Sequence, residues 1–98
     1  MKESTVEQKL VKGVKALGGR AYKFVSPGNN GVPDRLVILP GGRVVFVELK
    51  TERGRLSPVQ SFQIGVMGRL GCEVQVLYGA EDVIRFLDLC GKEGDRHG

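Results

Sequence analysis

The chain has no tryptophan, only six phenylalanine and tyrosine residues, two cysteines and a single histidine among 98 residues. So few aromatic rings leave no evident platform on which nucleic-acid bases would stack. Cys72 and Cys90 have neither CxxC nor metal-ligand spacing, which argues against a disulfide framework or a zinc site. Reduced, half-buried thiols in a cytoplasmic protein are expected instead. His97 falls at the far C-terminus and is not expected to be catalytic. No apolar run approaches the ~20 residues of a membrane span, and the polar start MKESTVEQK lacks a signal-peptide pattern. No membrane partner is expected.

What is present describes one domain. Hydrophobic residues make up 41% of the chain, enough for a core without staples at this length. Residues 1–90 are expected to form that domain and residues 91–98 (GKEGDRHG) a disordered tail. The net charge of +4 is unevenly spread: residues 1–72 hold twelve Lys/Arg against five Asp/Glu, and residues 73–98 three against six. A balance of +7 in the first part suits the approach of a polyanion.

Periodicity orders the elements. Val6, Leu10, Val14 and Leu17 share a helical face from Ser4 to about Leu17, ended by Gly18-Gly19. Arg20–Val25 reads as a strand and Ser26–Gly31 as a turn-rich loop. Asp34–Leu39 (DRLVIL) and Arg43–Lys50 (RVVFVELK) read as a hairpin about Pro40-Gly41-Gly42. Ser57-Pro58 opens a second helix to about Leu70, stopped by Gly71. Glu73–Tyr78 is a fourth strand. Glu81–Cys90 is a last helix, with Val83, Ile84, Leu87 and Cys90 inward. The order is αβββαβα: an α/β fold with a central mixed sheet of four strands flanked by helices, the fourth strand parallel to the third through a helical crossover.

Two short pieces carry the chemistry. Val44 to Val47 are apolar on both alternating faces, as in a central strand buried on both sides. Ending such a strand in Glu48 and Lys50 is costly unless something binds those charges. A three-residue hairpin loop pairs Leu39 with Arg43, and counting back sets Asp34 opposite Glu48. Facing carboxylates repel, and a divalent cation between them removes the repulsion. Lys50 then lies on the face of Glu48. Magnesium favours hard oxygen ligands, commonly one or two carboxylates plus substrate phosphate. Such an ion can also activate water and neutralise developing negative charge. Lys50 adds a cation on that face, able to orient a nucleophile or stabilise developing negative charge.

Pro33-Asp34, a hairpin, then Glu48-Leu49-Lys50 resembles the PD-(D/E)XK nuclease signature. GNNGVPD over Gly28–Asp34, followed after the ELK by Gly54-Arg55-Leu56-Ser57 and Gln60, is similar to the VRR-NUC family over roughly Val6 to Tyr78. The resemblance implies a restriction-endonuclease-like core, Asp34 and Glu48 as ligands of Mg2+ (with Mn2+ substituting), and the Leu49 carbonyl as a further ligand. It also implies DNA as substrate, branched or structured, and a structure-selective endonuclease of phage or bacterial replication or repair.

Glu7 and Gln60 each have two readings. An acidic residue on the first helix is a further metal ligand in many PD-(D/E)XK nucleases, but Ser4-x-x-Glu7 is also a capping box. Ser57-x-x-Gln60 is another capping box, while the match to the family's trailing Gln favours a role at the site, touching water, Lys50 or phosphate. Lys12, Lys15, Lys23, Arg35, Arg53 and Arg55 are candidate phosphate contacts. Recognition of backbone and shape fits these better than base reading. A small subunit with one site suggests a homodimer. A strict four-way-junction resolvase, a non-catalytic DNA-binding module and a subunit reliant on a replication or repair partner are the rival readings.

Overall fold

Val6, Leu10 and Val14 are fully enclosed because their spacing puts them on one stripe of helix α1 (Glu3–Ala16),. That stripe meets a four-stranded sheet in the computed structural model, which describes residues 2–97. The strands are β1 (Arg20–Lys23), β2 (Arg35–Leu39), β3 (Arg43–Lys50) and β4 (Val74–Tyr78), with helices α2 (Pro58–Arg69) and α3 (Gly79–His97). The order αβββαβα is the expected one. In space the strands lie β1-β2-β3-β4. The first two pairings are antiparallel and β3–β4 is parallel, as the α2 crossover requires.

Alternation along β3 decides which face does what. Val45, Val47 and Leu49 point into the core with Val37 and Leu39 of β2, Leu77 of β4, and Val83, Phe86 and Cys90 of α3. Each fully buried Val or Leu contributes roughly 1.5–3 kcal/mol. Phe46, Glu48 and Lys50 alternate to the opposite face. There Phe46 meets Phe24 edge-on, at 5.3 Å between ring centroids. The hairpin register holds as counted, from Leu39↔Arg43 to Arg35↔Val47.

Several expectations are corrected. Val44 is 43% exposed, so β3 is covered on both sides only toward its C-terminal end. Asp34 is a bend before β2 and not its first residue. On α3, Phe86 is buried and Ile84 is 47% exposed, since the helix rotates positions 83, 86 and 90 inward. Ser4 caps nothing: Lys2 is the N-cap, with no side-chain cap bond. Its carbonyl accepts from the amides of Thr5 and Val6, which leaves Ser4 inside the first turn. Helix α3 starts at Gly79, where φ is +76°, and Asp82 Oδ2 accepts the Tyr78 amide at 2.8 Å. It also continues past Cys90 to His97, where a tail was expected. Gly91 lies against Leu17 of α1, so packing carries the helix beyond Cys90, and each further residue costs little once a helix is formed. Gly98 lies outside the described residues.

Candidate active site

The second face of the sheet ends in a buried acid. Glu48 is 2% exposed, the one charged residue buried among those described. Its Oε2 accepts from Gln60 Nε2 at 3.1 Å and lies 3.4 Å from Lys50 Nζ. Its Oε1 is enclosed and has no hydrogen-bond partner. An orphaned carboxylate oxygen costs roughly 1–3 kcal/mol or more in desolvation, so this atom requires an explanation.

Electrostatics point the same way. The Glu48 carboxyl is pushed above its ordinary 4.5, first by burial and next by the Asp34 carboxylate. Lys50 opposes both. The Asp34 amide also pulls it down, although no hydrogen bond of normal geometry reaches Oε1. Asp34 is exposed. Its carbonyl accepts the Phe24 amide at 2.7 Å, and fully buried Pro33 precedes it. One carboxylate thus sits inside and one outside, close enough for Asp34 to raise the proton affinity of Glu48,. A hard divalent cation fits these donors: Glu48 and Asp34 would hold it, and its charge would remove the repulsion between them.

Gln60 arrives on the first turn of α2. Ser57 Oγ accepts the Gln60 amide at 3.2 Å, and Gln60 Oε1 accepts the Ser57 amide at 2.9 Å, a complete capping box. The capping reading of Gln60 holds, and the NH2 of the same carboxamide donates to Glu48, a partner not among the water, Lys50 and phosphate that the sequence suggested. Leu49 turns its side chain into the core at 2% exposure, so its part in the site can only be through its backbone. Tyr78 pairs in register with Lys50, which sets it on the site face. No sequence signal points to this, since a crossover helix does not fix strand register.

Glu7 is placed elsewhere. It pairs with Arg35 NH2, while Arg35 NH1 donates to the Ala21 carbonyl at 3.1 Å. Among the described residues no three acidic, His or Cys side chains converge on a metal position. Ser4, Glu7, Gln8, Val11, Lys12 and Arg35 line an open recess of about 370 Å³. Lys15 and Lys23 are exposed on α1 and β1, and Arg53 and Arg55 are exposed in the connection leaving β3. The structure thus unites Asp34, Glu48, Lys50 and Gln60, while Lys12 and Arg35 line the recess beside Glu7.

This arrangement has relatives. The profile of the VRR-NUC domain matches residues 3–81. The chain belongs to the VRR-NUC domain family. A protein named "Putative nuclease p44", from Acyrthosiphon pisum secondary endosymbiont phage 1, is 47% identical over 77 residues, which are 79% of this chain and 83% of that one. A solved VRR-NUC domain is 32% identical with a TM-score of 0.83, covering 88% of this chain and 94% of its own. A second solved VRR-NUC domain protein, 18% identical at a TM-score of 0.72 over 90% and 86% of the two chains, shares the fold. The matched span runs from α1 to the first turn of α3. It takes in Asp34, Glu48, Lys50 and Gln60, and it marks the chain as a nuclease domain.

Proposed function

We propose that the chain is a Mg2+-dependent endonuclease that hydrolyses DNA phosphodiester bonds, selective for branched or structured DNA in phage or bacterial replication or repair. The observation that carries this reading is the enclosed, unpartnered Oε1 of Glu48 beside the Asp34 carboxylate. Asp34 and Glu48 would hold the ion, with Mn2+ as a substitute and the Leu49 carbonyl as an added donor. The bound ion supplies Lewis acidity and charge neutralisation at the scissile phosphate.

The chain's own residues divide the remaining work. Lys50, 3.4 Å from Glu48 Oε2, presents its ammonium on the same face. There it orients the attacking water or stabilises charge on the pentacovalent phosphate. Gln60 fixes the Glu48 carboxylate so that Oε1 stays free for the ion. The exposed Asp34 side is where DNA approaches, with Arg53, Arg55, Lys12, Lys15, Lys23 and Arg35 as phosphate contacts. Arg35 would have to loosen its pair with Glu7 to join them. A first-helix ligand role for Glu7 needs the same release.

A homodimer is supported by α2. It has no buried residue and no charged residue from Pro58 to Gly68, yet Phe62 is 62% and Leu70, just past its end, 78% exposed. Large apolar side chains left exposed together on a helix mark a surface that ordinarily lies covered, and the stretch from Pro58 to Gly68 offers a polyanion no cation. A second copy on α2 would set two sites for two strands. Sedimentation velocity of wild type and Phe62→Lys tests it, with dimer expected to give way to monomer. A monomeric wild type defeats the dimer.

The deciding experiment is a cleavage panel on labelled linear, nicked, flap and four-way DNA, with Mg2+, Mn2+ or EDTA. Metal-dependent internal cuts, strongest on branched DNA, are expected. Binding without cleavage in any metal would leave a non-catalytic module.

A further inference from the structure

Two glycines of the loop before Asp34 have φ values that L side chains rarely adopt, +81° at Gly28 and +90° at Gly31. Their surroundings differ completely. A Cβ on Gly28 would meet nothing within 4 Å. A Cβ on Gly31 would stand 2.7 Å from the Val59 carbonyl oxygen, 2.8 Å from its carbon and 3.0 Å from the Gln60 nitrogen. Those are backbone atoms of the first turn of α2, held rigidly by the Ser57–Gln60 capping box, so no side chain can yield. The loop that ends in Asp34 is therefore seated directly on the turn that presents Gln60 to Glu48. Its other side is tethered through the Asp34 carbonyl to the Phe24 amide at 2.7 Å.

We propose that Gly31 is a positioning residue for the two metal-binding carboxylates: without a Cβ, the Asp34 loop rests on the first turn of α2, and this contact sets Asp34 against the Gln60-held Glu48. The inference rests on the metal-dependent nuclease reading. It explains why a glycine stands three residues before Asp34 without giving it any contact with DNA or ion. A side chain at position 31 must lift the loop or push the turn outward. Either movement alters the spacing of one carboxylate relative to the other while leaving the α1–α3 side of the sheet intact.

The test compares Gly31→Ala with Gly28→Ala, which carries a similar backbone penalty and lacks the close approach. Mn2+ binding by calorimetry, thermal melting in EDTA and single-turnover cleavage are measured on each and on wild type. Gly31→Ala should weaken Mn2+ binding by roughly 10- to 100-fold, the scale for losing support around a ligating group, with a parallel rise in the metal needed for cleavage. Gly28→Ala should lose some thermal stability and keep near-wild-type Mn2+ affinity. Equal losses of affinity in both variants would mean loop strain alone, and wild-type affinity in Gly31→Ala would mean the seat positions nothing; each overturns the proposal. If Gly31→Ala does not fold, Gln60→Ala decides: its Mn2+ affinity should fall on the same scale, and unchanged affinity overturns the proposal. A wild type that binds no Mn2+ and cuts nothing brings down the nuclease reading itself and this inference with it. A wild type that does both leaves the role of Gly31 to stand or fall alone.

Discussion

Gln60 and Glu48 are joined through one end of a carboxamide whose other end is already committed. Nε2 donates to Glu48 Oε2 at 3.1 Å while Oε1 accepts the Ser57 amide at 2.9 Å. Turning the amide over would lose both bonds. Gln60→Glu keeps the acceptor and replaces the donor with a second carboxylate oxygen facing Glu48. In EDTA at neutral pH this should cost roughly 1–3 kcal/mol, the scale of a buried polar group left without its partner. Most of that loss should be recovered near pH 4, where one carboxyl takes up a proton. Denaturant melts of Gln60→Glu and wild type at the two pH values check it. A loss equal at both would mean the repulsion is absent.

Glu48 itself makes the metal-free protein pH-sensitive. Burial and Asp34 raise its carboxyl above the ordinary 4.5 of the unfolded chain. The folded state therefore holds the extra proton, and by linkage its contribution to stability is full below the unfolded value and lost as pH rises through the folded one. Wild type in EDTA should lose stability across that window, while Glu48→Gln, with nothing to ionise, should not. Adding Mg2+ should cancel the difference for wild type only. Melting temperature against pH, with EDTA or Mg2+, is the measurement.

Asp34 is the second cause of that shift, and it is exposed. Asp34→Asn should abolish metal-dependent cleavage, keep the fold, and melt no lower than wild type in EDTA, because it removes repulsion from Glu48. Full activity in folded Asp34→Asn would remove Asp34 from the metal site.

Lys50 should act on the transition state. Lys50→Ala should lower the single-turnover rate by about 10²-fold, the scale for one preorganised electrostatic group, with a modest change in DNA affinity. Lost affinity with the rate restored by saturating DNA would make Lys50 a binding group.

Arg53 and Arg55 leave β3 on an exposed connection with Gly54 between them. If they grip phosphates, log affinity falls linearly with log salt at a slope of about −0.9 per contact on duplex DNA. Replacing both with Ala should flatten that slope by about two units with little change in sequence preference. Binding by catalytically inactive protein across a salt series, on two unrelated sequences, reads both quantities. An unchanged slope would make the two arginines ordinary solvated charge.

Much of this was legible in the chain. Alternation in RVVFVELK and the three-residue loop at Pro40-Gly41-Gly42 determine the hairpin register, and the register, paired as far as Arg35↔Val47, delivers Asp34 to the end of the strand that carries Glu48. Spacing along α1 is enough to identify Val6, Leu10 and Val14 as core. What escaped the sequence depends on distance across the fold. Ile84 and Phe86 are both apolar and two residues apart, so only packing decides which turns inward. Ser4-x-x-Glu7 and Ser57-x-x-Gln60 look alike as caps, yet Arg35, 28 residues away, takes Glu7, and the second box forms. Nothing local shows that α2 buries no residue or that Gly31 touches its backbone.

The far end of the hairpin has a use of its own. Gly41 and Gly42 form the turn with φ of +86° and +83°, and a Cβ on either would meet nothing within 4 Å. They stand roughly 20 Å along β3 from Glu48, at about 3.3 Å per residue. A loop tip that is open, remote and already irregular is the kind of place where chains accept inserted segments. A fluorophore, a short tether or a whole targeting module spliced between these glycines would ride on the nuclease domain without crowding the Glu48 end of the sheet, and would make the domain addressable.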